Sequence, residues 1–138
     1  MILRQMDEFE RLGGSFAVET TLASRSLATR AESLQRQGYA FYLIYLWTPN
    51  PEFSISRVAA RVRAGGHDIP EETIRRRHRA SLRNFFELYQ PIADAWQVFD
   101  NTELDLLIRP IAQGRRNQSL QIHDLTFWTF LKQSYANA

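Results

Sequence analysis

The chain has 138 residues, is 44% apolar and 12% aromatic, and carries 17 basic against 15 acidic side chains with no cysteine. That length accommodates one domain over residues 1–138, and the aromatic content argues against disorder. No apolar run reaches the roughly 18–20 residues of a membrane helix, no charged-then-apolar leader opens the chain, and the lack of Cys excludes disulfides and thiolate metal sites, so a cytoplasmic protein with no membrane partner is expected.

Net charge is only +2, but its distribution is uneven. Lys132 is the sole lysine, and eight Arg lie between Arg57 and Arg83 against three acids, Asp68, Glu71 and Glu72. Guanidinium suits planar, bidentate capture of phosphate or carboxylate oxygens. An Arg run of this purity points to an anionic ligand more than to an ordinary solvated helix face, although pairing with Glu71, Glu72 and Glu87 is expected to occupy about half of it.

In chain order, Met1 to Leu12 reads as an amphipathic helix stopped by Gly13-Gly14 and lacking an N-cap. Ser15 to Thr21 is a short β-favouring strand with a polar end. Ser24 or Ser26 caps a helix whose apolar positions Leu27, Ala31 and Leu34 recur until Gly38. Tyr39 to Trp47 is continuously apolar or aromatic, which predicts a strand covered on both faces. Thr48 to Glu52 forms a turn with an Asn cap and a Pro at the first helical position. Ile55, Val58, Ala59 and Val62 mark the next helix, which Gly65-Gly66-His67-Asp68 interrupts. A long helix restarts at Pro70, with Ile74, His78, Leu82, Phe85, Tyr89 and Ile92 as its buried stripe. Gln97 to Asn101 is another short strand. Leu106–Ala112 and Ser119–His123 suggest a hairpin turning at Gly114 to Asn117, and Leu125–Tyr135 closes as a helix.

That alternation predicts an α/β fold with a largely parallel sheet, and in such sheets ligands gather at the carboxyl ends of strands. The rule directs attention to Glu19-Thr20-Thr21, Thr48 and Asp100-Asn101-Thr102. Around the Gly-Gly pair, two Arg-bearing helix ends form a candidate lid, about residues 57–80, able to fold over an anion and exclude water. Three scattered His do not make a metal site. No G-x-S-x-G elbow supports Ser-based hydrolysis.

Phe16–Arg25 (FAVETTLASR), Tyr45–Glu52 (YLWTPNPE), Arg57–Arg77 (RVAARVRAGGHDIPEETIRRR) and Val98–Asn101 (VFDN) together resemble the zeta-toxin-like family of P-loop kinases, in its branch of predicted ATPases. The resemblance covers roughly residues 1–125. It implies an ATP- and Mg²⁺-dependent phosphotransferase, with a nucleotide and a small hydroxyl-bearing acceptor as partners. By the same resemblance Glu19, Thr20, Thr21 and Arg25 face the acceptor, and Arg63 and His67 contact phosphate. Arg76 and Arg77 steady the transferring group, while Asn101 and Thr102 border the base. The family opens with a strand, a G-x-x-G-x-G-K-[ST] loop, a helix and a second strand bearing an activating Asp, and these residues contain no counterpart. The expectation is an N-terminally truncated, incomplete P-loop kinase-type sheet flanked by helices, with an Arg-rich helical lid and a C-terminal hairpin plus helix. No cofactor is assured for it alone. Without the family's first strand, the two strands at Phe16–Thr21 and Tyr39–Trp47 are expected to pair directly, leave a gap or recruit another chain, with self-association through exposed strand edges. The alternative is an inactive remnant or interaction module that binds an anion or complements a separate chain. Nucleic acid is the weaker partner, because the Arg helix lacks interleaved exposed aromatics.

Overall fold

A computed structural model of the chain describes residues 2–48, 51–102, 108–116 and 120–137. Five α-helices and four strands follow in the order α1 (Ile2–Leu12), α2 (Ser26–Arg36), β1 (Tyr42–Trp47), α3 (Pro51–Arg63), α4 (Glu71–Asn84), β2 (Ala95–Asp100), β3 (Arg109–Arg115), β4 (Gln121–Ile122) and α5 (Leu125–Ala136). A π-helical turn, Phe85–Tyr89, continues α4. The predicted hairpin is present, but the expected positions Leu106, Leu107, Asn117 and Ser119, like Met1 and the Pro49-Asn50 cap, lie outside the described residues.

The sheet runs β1-β2-β3-β4 and is mixed, not largely parallel. β1 and β2 pair in parallel because the α3–α4 crossover separates them, whereas β2/β3 and β3/β4 follow short connections and are antiparallel. β3 extends through Gly114 and Arg115, which the sequence assigned to the turn. Gly114 pairs with Trp96, and a Cβ there would meet the indole at 2.7 Å, so the large ring requires a residue with no side chain opposite it.

Two further expectations are corrected. Ser15–Thr21 is not a strand; among the described residues it forms no ladder, and the Thr20 and Thr21 hydroxyls accept from the Leu22 and Ala23 amides at 3.2 and 3.4 Å. A β-favouring segment with no paired neighbour has nowhere to direct its backbone groups except into such local turns. The predicted strand at Tyr39–Trp47 begins three residues later and is covered on one face: Leu43, Tyr45 and Trp47 are buried, and Tyr42, Ile44 and Leu46 are exposed.

The covered face forms the core. Tyr45 stacks on Phe85 at 4.9 Å, Phe85 meets Trp96 edge-on, and Trp96 stacks on Trp128 of α5. The π-turn sends Phe85 toward Tyr45 while Phe86 turns to Trp128 and Tyr135. Asp124 caps α5, accepting from the Phe127 amide at 2.9 Å. Asn84, itself buried, donates to the Leu22 carbonyl at 2.8 Å and holds that residue at φ +59°, an uncommon conformation for a branched side chain.

Asp94 sets the alignment of the sheet. Its carboxylate accepts from the Phe41 amide at 2.7 Å and from Gln35 of α2 at 3.1 Å, and its own amide donates to the Phe41 carbonyl. One side chain thus fixes the amino ends of β1 and β2 to each other and to α2. The Phe41 amide bond, with help from Gln35, holds the Asp94 carboxyl below its ordinary value. A depressed carboxyl contributes stability above its unfolded pKa and loses it as pH falls through the folded one. Acid unfolding monitored by circular dichroism should therefore steepen below about pH 4, and Asp94→Asn should lower stability at neutral pH while flattening that acid limb.

Candidate functional site

Between β1 and the Gly13–Leu22 strap runs an open groove of about 1610 Å³. Its flanks are apolar, with Phe16 and Val18 on the strap facing the strand residues Tyr42 to Leu46. Its far end, at the carboxyl terminus of β1, is polar and cationic: Thr48, Ser54, Arg57 and Arg61 from β1 and α3, with Arg77 and His78 from α4. Glu19, Thr20 and Thr21 are exposed on the strap and line the same groove. This is the gap left between two segments expected to be strands.

Each cation is placed by its element. Arg57 and Arg61 are four apart on α3 and so share a face. The Arg57 guanidinium donates to the Asn101 carbonyl at 2.5 Å, and the Asn101 amide donates to the Trp47 carbonyl at 2.9 Å, which ties α3 to the ends of both parallel strands. Arg57 Nε is buried with no acceptor in reach. A buried charged donor left unmatched is costly. His78 Nε2 lies 2.9 Å from the Thr48 carbonyl, with the ring 6.5 Å from Trp47. Arg75 is a tether: it bridges Glu52 at 2.8 Å and Glu71 at 2.7 Å, joining α3 to α4 and leaving the groove to its neighbour Arg77.

The Gly65-Gly66 pair forms a capped turn. Gly65 has φ +92° and donates to Val62, while Gly66 donates to the Arg61 carbonyl at 2.8 Å, the paired bonding that closes a helix C-terminus. A Cβ on Gly66 would meet Arg61 Cγ at 2.5 Å, so the same turn packs directly against a groove arginine.

Of the residues the sequence singled out, the structure gathers Glu19, Thr20, Thr21 and Arg77 on the groove. Arg63, His67 and Arg76 are exposed and off its wall, and Arg25 is exposed just before α2. Asn101 acts through its backbone, holding Arg57, and Thr102 folds back onto Asp100, donating to Asp100 Oδ1 through its amide at 3.0 Å and also through its hydroxyl. Burial pushes the Asp100 carboxyl up, but the Thr102 and Arg109 bonds outweigh it and the group lies below its usual value. Arg57, Arg61, Ser54 and His78 were not chosen. For the first two, the four-residue spacing just past a strand's carboxyl end was the available signal. Among the described residues no three His, Asp or Glu side chains gather in a way that could hold a metal ion, and no helix is long and apolar enough to cross a membrane.

The Arg-walled groove lies at the carboxyl end of the parallel pair, where α/β sheets place their ligands. The family model described as zeta toxin matches residues 4–111, and the chain belongs to that family, one of ATP-using, kinase-type phosphotransferases. A protein of Haemophilus influenzae, described as uncharacterized, is 32% identical over 63 residues, 46% of this chain. The chain spans about half of that relative's length, 45%. No solved structure matches significantly.

If Gly65-Gly66 is a cap, Gly65→Ala should lower thermal stability by about 1 kcal/mol, the cost of a left-handed alanine. A freely hinging pair would leave the melting temperature unmoved.

Proposed function

We propose that these residues form the acceptor- and phosphate-facing wall of an ATP-dependent small-molecule phosphotransferase of the zeta toxin type. Family membership and the convergence of Arg57, Arg61 and Arg77 on one groove support the reading; the single observation that carries it is the buried, unmatched Arg57 Nε at the groove's cationic end. In this reading Arg57, Arg61 and Arg77 hold phosphate oxygens, offsetting charge that accumulates as a phosphoryl group moves. Glu19 on the strap accepts from the acceptor hydroxyl, and Thr20 and Thr21 hold neighbouring oxygens. Arg76, Arg63 and His67 extend the cationic rim, Arg25 extends the acceptor side, and Asn101 with Thr102 sets the floor beneath Arg57.

The Arg wall fits the oxygens of a polyphosphate, and ATP when bound supplies the phosphoryl group. Mg²⁺ finds no donor cluster among the described residues, and the chain contains no G-x-x-G-x-G-K-[ST] loop to cradle phosphates. The wall's contribution is therefore binding and orientation. The acceptor is a small hydroxyl-bearing molecule sized to the strap side of the groove.

Fluorescence titration with an N-methylanthraniloyl ATP, competed by inorganic triphosphate, tests this. Saturable binding is expected, weakening with salt. Arg57→Ala and Arg77→Ala should each weaken it roughly tenfold or more, the cost of losing a charge-assisted hydrogen bond of about 1.5–3 kcal/mol. Arg79→Ala, exposed on α4 and off the groove, should leave affinity unchanged. Equal losses in all three variants, or no saturable binding, would overturn the proposal.

A further inference from the structure

Asp100 closes β2, and its side chain is only 10% exposed. Oδ1 accepts from the Thr102 amide at 3.0 Å and also from the Thr102 hydroxyl, while Oδ2 accepts from the Arg109 guanidinium at 3.0 Å. A side-chain oxygen that takes the amide two residues on makes the turn typical of Asp and Asn. What matters is the effect on the peptide unit between Asn101 and Thr102. That unit is planar and trans, so its N–H and its C=O point in opposite directions. Capturing the Thr102 N–H on one side therefore aims the Asn101 carbonyl to the other. That carbonyl is the group to which the Arg57 guanidinium donates, at 2.5 Å. The unit before it is pinned as well, by the Asn101 amide on the Trp47 carbonyl at 2.9 Å.

We propose that Asp100 is a positioning residue for Arg57: its carboxylate sets the plane of the Asn101–Thr102 peptide, and that plane directs the Arg57 guanidinium at the groove. The inference rests on the reading of Arg57 as a phosphate-holding residue. It accounts for a carboxylate one residue from the anchor of a cation assigned to an anion, where charge alone is the wrong sign. Among the described residues no ion pair joins Asp100 to Arg57; both carboxylate oxygens are taken by Thr102 and Arg109, and the coupling passes through the peptide. Arg109 offsets the negative charge and ties the same carboxylate to Asp124, the N-cap of α5. The turn is thereby braced from β3 and α5 on one side and reaches α3 on the other. Tying one arm of the Arg57 fork to a fixed carbonyl leaves its remaining donors in one orientation, which is what planar recognition of an oxyanion requires.

Two substitutions separate geometry from charge. Asp100→Asn removes the charge but keeps an oxygen able to accept from the Thr102 amide, whereas Asp100→Glu keeps the charge and carries its oxygens one methylene past the turn. In titrations with N-methylanthraniloyl ATP, Asp100→Asn should bind within about twofold of the unaltered chain, and Asp100→Glu roughly fivefold or more weakly; in an Arg57→Ala background Asp100→Glu should cost nothing further, since the residue acts only through that guanidinium. Asp100→Ala, which removes the acceptor outright, should behave as Asp100→Glu does. Unchanged affinity in Asp100→Glu, an equal loss in Asp100→Asn, or a loss that persists without Arg57 would sink the inference and leave the phosphate-holding role of Arg57 standing. A second measurement needs no ligand. The buried Arg57 Nε–H should give a slowly exchanging proton–nitrogen correlation by nuclear magnetic resonance, assigned by its disappearance in Arg57→Lys. That signal should hold its position in Asp100→Asn and Arg79→Ala, and shift or broaden in Asp100→Glu and Asp100→Ala. A chain that binds no nucleotide but shows this pattern would refute the phosphate reading and retain the positioning. A signal unmoved in Asp100→Glu and Asp100→Ala would refute the positioning itself.

Discussion

Everything in this fold hangs on a strand that is hydrogen-bonded along one side only. β1 is fixed to β2 by six parallel pairs and by the Asp94 clamp at its start, and nothing among the described residues holds its other edge. That asymmetry opens the groove, places the carboxyl end of β1 beside α3 and α4, and leaves the strap without a ladder to join. The apolar core compensates by crowding onto one face, where Tyr45, Phe85, Trp96 and Trp128 form a continuous aromatic stack. The molecule is thus well anchored on one side of β1 and open on the other.

The division between anchoring and groove-lining arginines follows from position and not from composition. Arg75 and Arg77 are two residues apart on α4, yet one spans Glu52 and Glu71 while the other lines the groove. A helix turns about 200° in two residues, so neighbours in a run of three Arg necessarily serve different surroundings. The tether fixes α4 against α3 and hence the groove-lining Arg77 against Arg57 and Arg61.

Much of this was legible in the chain itself. Gly38 and Gly65 end helices where the sequence said they would, and the crossover predicted the parallel β1/β2 pair, but the expected Ser24 or Ser26 cap is not formed: Arg25 stands at the N-cap of α2 and makes no side-chain cap bond. The strand-end rule pointed to Thr48 and to Glu19–Thr21; all four line the groove, although the latter segment is not a strand. What it could not give was decided by partners distant in sequence. Ser15–Thr21 has the composition of a strand, but strand formation needs a neighbour, and that is a tertiary condition. The continuous apolar run of β1 reads as a doubly covered strand because the sequence records what the residues can bury, not what is there to bury them. Arg57 was not singled out, since its bond to the Asn101 carbonyl joins residues distant in sequence and no local pattern displays it.

The widened turn at Phe85–Tyr89 has a consequence for how this helix tolerates change. A π-turn holds one residue more than the α-helical path needs, bonding Gln90 back to Phe85. A single-residue deletion there has slack to absorb it, reverting the turn to ordinary winding. The same deletion one turn earlier has none, and it would swing everything upstream about 100° around the axis, taking Arg77 and His78 off the groove. The helix therefore has slack where it meets the core and a strict count where it lines the groove.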